Sequence, residues 1–455
     1  ILQNHHPNHK LDQLAWELDG FPRDIDKKVG KLAKEYDGFQ NVPEQYMNKY
    51  QIADVERTML LYLFFMPKIL ARDTDTEIYK TEIDLLWTTL RIEQRGMMLD
   101  VPRCKELISS LDKEVIETKE SLERMSWMGF NPGSTKQIRR LLFNRFKLPR
   151  ISSTPTGAAC VDKFVLGELH KIAKGKTKEC LDNILKYRSY TPSITYLESY
   201  LEYADSDGII HPNIRTCEAI TSRESCSRPN LQNVERDDSI RNAFPVPIRK
   251  VFRPRPGYVN FHIDYAGQEM RLIIHYSQDI EMLKILRENG DIHVEAAKTL
   301  YGSEYSSLKN SNPYKKSLRD AAKNGSFAKA YGAGSDKLAT TLGVSPEEGQ
   351  KASQRYDYRF PKITELNREV SSRVLSSGFV LTAFGRKLNV LPELSYTGVN
   401  TLIQGTAAGM IKRAQNRIRK YLDSATGGEV QILLPVHDEL IIEYPRKRLR
   451  DYRDI

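Results

Sequence analysis

The stretch His262-Ile-Asp264-Tyr-Ala-Gly-Gln-Glu-Met-Arg271 decides how this chain is read. Asp264 follows the β-prone run Tyr258-Val-Asn-Phe-His-Ile263, a setting in which a lone carboxylate is costly to bury. At a strand end such a carboxylate can project into a cleft and take a hard cation. A second carboxylate in a similar setting lies far downstream, in Leu433-Leu-Pro-Val-His-Asp438-Glu-Leu440, where Asp438 falls at the turn of an expected hairpin. Turn chemistry alone accounts for one aspartate there, since Asp is a favoured turn residue.

Between the two aspartates runs Arg319-x3-Lys323-x3-Phe327-x3-Tyr331-Gly332. Four residues advance a helix by about 400°, so each step drifts by only about 40° and the four side chains share a face. Two cations on one turn suit phosphates, and an aromatic one turn on suits a base or sugar. An amphipathic helix with core aromatics and solvated cations gives the same spacing, and the stripe alone does not separate the two. Taken with two carboxylates able to share divalent metals, the cationic face suits chemistry on a nucleoside triphosphate. The triphosphate oxygens supply the remaining metal ligands, so no His/Cys cluster is needed.

The composition sets wider bounds. The chain has 455 residues, room for roughly two to four domains. Lys plus Arg is 69 against 59 for Asp plus Glu, a formal net charge of +10. That balance suits a polyanionic partner and equally suits ordinary solubility. The five cysteines, at 104, 160, 180, 217 and 226, show neither CxxC pairing nor zinc-like spacing. This pattern fits a reducing, cytoplasmic compartment without structural metal. The longest apolar run, Met59 to Met66, ends at Pro67 and is too short to span a bilayer, so no membrane association is expected. No signal peptide is visible, and the start at Ile1 and the charged run Arg446 to Asp454 look like cuts from a longer reading frame.

Along the chain, apolar spacing predicts helix over 8–66 and over 75–125, with a break at Gly96 and a second start where Asp100 caps Val101-Pro102. Asn131-Pro-Gly-Ser134 precedes a basic helix, Lys136 to Arg145, and Ser152 to Gly157 reads as a loop. Residues 205–260 are rich in turns and short β-prone runs, 278–390 are mostly helical, and 398–423 form a helix. Phe379–Thr382 pairs with Leu388–Leu391 around Phe384-Gly-Arg386, and Val430–Pro435 with His437–Tyr444 form a hairpin. Phosphate contact by Lys136, Arg139, Arg140 and Arg145 would be salt-dependent and sequence-independent, whereas the alternative is a solvated helix face.

These residues, in this order, resemble DNA polymerase family A, the bacterial DNA polymerase I type, and its phage-like branch in particular. Asp264-Tyr-Ala-Gly-Gln-Glu269-Met-Arg271 resembles the family's first palm motif, the stripe its fingers helix, and Val436-His437-Asp438-Glu439 its third motif. Thr221-Ser-Arg223 with Pro229-Asn230-Leu-Gln232-Asn233, Ile248-Arg249-x2-Phe252, Gly290-Asp-Ile-His293 and Gln404-Gly-Thr-Ala-Ala408 follow in the expected positions. The resemblance covers about residues 75–445. It implies an α+β right-hand polymerase: thumb and connecting helices over 71–200, palm over 201–277 and 396–455, and fingers over 278–395. Residues 1–70 would be the remnant of a ribonuclease H-like 3′–5′ exonuclease domain.

The roles it implies are specific. Asp264 and Asp438 would hold two Mg²⁺ ions, with Mn²⁺ able to substitute. Arg319 and Lys323 would bind the incoming dNTP, Lys323 as proton donor to pyrophosphate, and His293 would contact the triphosphate. Phe327 would stack near the sugar and, being Phe rather than Tyr, disfavour dideoxynucleotides. Tyr331 would stack at the nascent pair, and Glu269 would fill the space beside C2′ as a gate against ribonucleotides. Arg223, Asn230, Gln232, Asn233, Arg249, Arg271, Gln404 and His437 would hold primer–template DNA. Glu439 would have a peripheral metal role or none. A monomer is the family default, and an unidentified processivity factor remains open.

Several positions depart from the family pattern. Ala266-Gly267 replaces the usual Ser-Gln, and Gln268 stands where an aliphatic residue is usual, beside the nascent pair, which bears on fidelity. Ser222 replaces a usual Gly, Glu224 an apolar residue, and Gly409 an Asp. The short connection from Glu393 to Asn400 favours a viral origin. Tyr50-x3-Asp54, after His9-Lys-Leu-Asp12-x2-Ala15, resembles the third exonuclease motif, but the first two carboxylate motifs are absent, so no proofreading activity is expected. Two rival readings are a single-subunit RNA polymerase, opposed by Glu269, and an inactive DNA-binding accessory protein, opposed by the retained Asp264, Asp438, Arg319 and Lys323.

Overall fold

The computed structural model describes residues 10–154, 157–234, 244–448 and 450. His9, residues 155–156 of the expected loop and 451–454 of the charged run lie outside the described residues. Three helices stand where continuous helical spacing was read, α1 (Leu11–Asp19), α2 (Asp24–Glu35) and α3 (Glu44–Leu70). Gly20, left-handed at φ 66°, closes α1. Helices α4 (Asp73–Arg95) and α5 (Val101–Met125) are parted as predicted. Gly96 sits at φ 63°, where an added Cβ would meet Ile210 O at 2.6 Å. The Asp100 carboxylate accepts the Arg103 amide and caps α5, with Pro102 in the first turn.

Strand β1 (Met97–Met98) lies between them. Then follow α6 (Thr135–Arg139), which continues as a π turn over Arg140–Arg145, α7 (Lys163–Ile172) and α8 (Gly175–Tyr203). Helix α8 had no clear sequence signature. It carries Pro192 inside, and its buried residues Leu181, Ile184, Leu197 and Tyr200 form no single stripe. Short strands β2 (Ile209–Ile210), β3 (Asn213–Arg215) and β4 (Ser225–Ser227) precede β5 (Tyr258–Asp264).

A helical stretch comes next: α9 (Gln268–Ser277), α10 (Ile280–Arg287), α11 (Ile292–Tyr301), α12 (Ser303–Ser306), α13 (Pro313–Ala330), α14 (Ser335–Leu342), α15 (Pro346–Arg359) and α16 (Pro361–Ser377). The predicted strand pair is β6 (Phe379–Leu381) with β7 (Lys387–Asn389), in antiparallel register Val380↔Leu388. Helix α17 (Gly398–Thr426) leads into the hairpin β8 (Gln431–Val436) and β9 (Glu439–Pro445).

The chain divides into two compact units. One comprises Ile1–Thr88, Arg215–Ser225 and Asp264–Ile418. Its core is built by Met270 and Ile273 of α9, Leu300 of α11, Ala322 of α13, Tyr356 of α15, Ile363 of α16 and Ile403 of α17. Each such large side chain contributes roughly 1.5–3 kcal/mol by leaving water. This unit also buries a charged cluster: Glu82 of α4 accepts from Lys412 of α17 at 2.8 Å and pairs with Arg386.

The other unit comprises Thr89–Ile214, Cys226–Ile263 and Arg419–Ile455. Leu122, Ile138, Leu141, Val165, Leu181 and Ile184 form its helical core. Its three-stranded sheet has the order β5-β9-β8, and β8 and β9 pair in the register Val436↔Glu439 and Gln431↔Glu443. Glu443, 1 % exposed, receives Arg95 at 2.6 Å and Arg255 at 3.0 Å, which ties β9 to the end of α4. His437 lies in the turn with φ 60°, not in the second strand as the spacing predicted.

Candidate active site

Helix α13 begins at Asn312, whose side chain accepts the Tyr314 amide, with Pro313 in the first turn. One face, Leu318, Ala322, Gly325 and Ala330, is buried. Gly325 allows close approach, since a Cβ there would meet Leu342 Cδ2 at 2.8 Å. Lys323 is exposed, and Phe327 and Tyr331 are half-buried. Their rings stack with centroids 6.2 Å apart and planes 20° apart, Tyr331 lying just beyond the last helical turn. The aromatics pack against the core while Lys323 stays in solvent, the arrangement an amphipathic helix gives.

His293, in the first turn of α11, lies 6.2 Å from the Phe327 ring. Burial, and then the positive charges of Lys323 and Arg319, hold its imidazole below the ordinary histidine value. Its Nδ1 is buried without a hydrogen-bond partner among the described residues. Arg319 donates to Asp291 at 2.6 and 3.1 Å.

Glu269, in the first turn of α9, accepts the Tyr331 hydroxyl at 2.5 Å and pairs with Arg223 through its other oxygen. Burial and the neighbouring Glu269 charge both push the Tyr331 hydroxyl up. Arg223 is held from behind: Ser222, at φ 60°, accepts from Arg386 at 3.3 Å, and Glu224 accepts from Gln415 at 2.5 Å. Gln268 is 4 % exposed and its Nε2 has no partner among the described residues. Arg271 donates to the Ala266 carbonyl at 2.7 Å, and Gln404 is half-buried on α17.

Asp264 closes β5 and is exposed; Asp438 lies half-buried in the β8–β9 turn. Within the second unit His262, two residues before Asp264, pairs with Glu439, the residue after Asp438. Among the described residues no group of three or more His, Cys, Asp or Glu side chains could hold a metal. Two hard carboxylate donors suit Mg²⁺, which keeps most of its shell for water and phosphate oxygens. Both carboxylates are the residue type that a hard divalent cation takes.

Several of the remaining predicted contact residues have structural partners. Asn230 Oδ1 accepts the amides of Gln232 and Asn233 at 3.0 and 3.2 Å. Gln232 donates to the Pro435 carbonyl at 3.0 Å, and Arg249 to Val234 O at 3.1 Å. In α6 and the π turn, Lys136 is exposed, Arg139 donates to Ala159 O at 2.6 Å, and Arg140 lies 5.2 Å over the Trp127 ring.

Tyr50 and Asp54 share α3 with Arg57, which is 0 % exposed. Arg57 meets Asp54 at 3.2 Å and grips both oxygens of Asp26 at 2.7 and 2.5 Å. The Asp54 carboxylate is engaged by the guanidinium that also grips Asp26, a cation already in the place a divalent metal would take. Sequence reading assigned no role to Arg57, Asp291 or His262: the partners Asp26, Arg319 and Glu439 lie far off in the chain, although Arg57 follows Asp54 by three residues and Asp291 carries the signal of a helix cap.

The fold and this helix face define the class. The sequence model of DNA polymerase family A matches residues 101–455, and the chain belongs to that family. It is 29% identical over 462 residues to DNA polymerase I of Pseudomonas aeruginosa, covering 97% of this chain and 48% of the relative. The thermostable DNA polymerase I of Thermus thermophilus is 29% identical, with 95% and 52% covered. The chain thus spans about half the length of these curated relatives. In fold it is similar to the POL domain of Pol1 from M. smegmatis in complex with DNA primer-template and dNTP. That match has a TM-score of 0.81 at 24% identity and covers 99% of this chain and 75% of that one. Among the described residues no helix is long and apolar enough to cross a membrane.

Proposed function

We propose that this chain is a template-directed DNA polymerase that adds deoxynucleotides to a primer 3′ end. The observation that carries the reading is the α13 face, where Arg319, Lys323, Phe327 and Tyr331 stand in one row and Tyr331 is bonded to Glu269. The mycobacterial Pol1 domain of the same fold was captured with primer-template and dNTP, which supports those partners.

In this reading Asp264 and Asp438 would hold Mg²⁺, which when bound would supply Lewis-acid activation of the 3′ hydroxyl and charge neutralisation at the pyrophosphate. Arg319 and Lys323 neutralise the triphosphate, and Lys323 delivers a proton to the departing pyrophosphate. His293, uncharged near neutral pH, contributes a hydrogen bond rather than a charge. Phe327 and Tyr331 present an apolar surface to sugar and base, and Glu269 fills the space a 2′ hydroxyl would need. Residues 71–200 act as the thumb, 201–277 and 396–455 as the palm, and 278–395 as the fingers. Residues 10–70 carry the Tyr50–Asp54 element that resembles an exonuclease motif, and Asp54, engaged by Arg57, does not serve as a metal ligand in this reading. Lys136, Arg249, Gln404 and His437 each contact the primed template in this reading.

Extension of a primed template with Mg²⁺ and dNTPs tests this reading. Lys323→Ala is expected to lose extension by roughly a hundredfold or more while still binding primed DNA. Equal use of ribonucleotides by the unaltered protein would favour an RNA polymerase instead.

A further inference from the structure

Asp291 has no part in the chemistry described above, yet its carboxylate accepts four hydrogen bonds beside Arg319 and His293. Its Oδ1 accepts the His293 and Val294 amides at 2.9 and 3.1 Å, which caps α11. Its Oδ2 accepts Arg319 Nε at 3.1 Å and Nη2 at 2.6 Å. One side chain therefore fixes the backbone that carries His293 and the guanidinium that comes from α13, elements 28 residues apart in the sequence. The Nε–Nη2 edge of Arg319 is occupied by this pair, and Nη1 lies 3.7 Å from Asp320.

We propose that Asp291 is a positioning residue for triphosphate binding: it sets the guanidinium of Arg319 and the ring of His293 in register so that both meet the same phosphates. The inference rests on the reading of α13 as the triphosphate-binding face. A long, rotamer-rich arginine loses freedom whenever it binds, and a partner that already fixes it lowers that cost. Partial burial pushes the Asp291 carboxyl up, but the Arg319 hydrogen bond, the Val294 amide, the Arg319 charge and the His293 amide outweigh it and bring it below the usual range. The carboxylate is thus ionised wherever the protein works near neutral pH.

The test is calorimetric titration of a deoxynucleoside triphosphate, with Mg²⁺, into protein carrying a primer–template whose primer lacks a 3′ hydroxyl. Asp291→Asn keeps the capping oxygen and removes the charge; binding is expected to weaken by roughly tenfold with little change in melting temperature. Asp291→Ser, which caps but cannot reach Arg319, is expected to show the same loss. The double variant Asp291→Asn/Arg319→Ala is expected to bind no more weakly than Arg319→Ala alone, because Asp291 acts through Arg319. In extension assays the loss falls on KM for the nucleotide rather than on kcat. Unchanged or tighter binding by Asp291→Asn, or additive losses in the double variant, would overturn the role of Asp291 alone. A wild-type protein that binds primed DNA and no triphosphate overturns the parent reading as well.

Discussion

The Tyr331 hydroxyl lies 2.5 Å from the Glu269 carboxylate, and this bond joins the end of α13 to the start of α9. Glu269 is held at two points, by Tyr331 and by Arg223, so its side chain is a fixed volume rather than a swinging one. A fixed wall beside C2′ discriminates by shape, which is worth a few kcal/mol at most. Glu269→Ala is therefore expected to raise ribonucleotide incorporation by roughly a hundredfold relative to deoxynucleotide. Tyr331→Phe removes one tether and is expected to give a smaller rise, roughly tenfold. Single-nucleotide extension with matched dNTP and rNTP pairs checks both; unchanged ratios would remove Glu269 from the gate.

Two buried glutamates near α17 answer acid in opposite ways. Burial pushes Glu82 up, but Lys412 and Arg386 more than offset it, and its pKa is lower in the folded than in the unfolded chain. It then binds fewer protons when folded, so its stabilisation is present above the ordinary value of 4.5 and is lost as pH falls through the lowered one. Burial pushes Glu224 up, only partly opposed by Lys412, so its folded pKa lies above 4.5. Its contribution is favourable in acid and is lost as pH rises through the raised value. Glu82→Gln is expected to cost about 3–5 kcal/mol at neutral pH by stranding buried cations. Glu224→Gln is expected to stabilise the fold there. Urea unfolding across the acid and neutral range measures both signs.

Arg57 decides what the Tyr50–Asp54 element does. A buried guanidinium shared by Asp26 and Asp54 acts as a permanent counter-ion. Arg57→Leu is expected to destabilise the fold by about 1–3 kcal/mol, because two partly solvated carboxylates lose their partner. Asp54→Ala is expected to leave 3′ excision from a labelled primer at the background of the unaltered protein. A metal-dependent excision that disappears in Asp54→Ala would contradict this.

What could be read from the sequence was whatever is local. The face shared by Arg319, Lys323, Phe327 and Tyr331 follows from helical spacing, and the Asp100 cap, the β6–β7 pair and the β8–β9 hairpin follow from short patterns. Helix α8 was hidden because Pro192 and burial on several sides erase its stripe. The helical reading of 8–66 holds as three helices, and the breaks at Gly20 and before Glu44 were not read from the spacing. Contacts such as Asp291–Arg319, Glu269–Arg223 and His262–Glu439 join residues distant in the chain, and no spacing announces them.

The central claim is that Asp264 and Asp438 serve the same metal-dependent step of primer extension. Asp264→Ala and Asp438→Ala, compared with the unaltered protein on a primed template with Mg²⁺ and dNTPs, test it most directly. Each variant is expected to lose extension by roughly a thousandfold or more while still folding and binding primed DNA. Removing both is expected to cost little beyond either alone. Extension that survives either substitution near the unaltered rate would contradict the account.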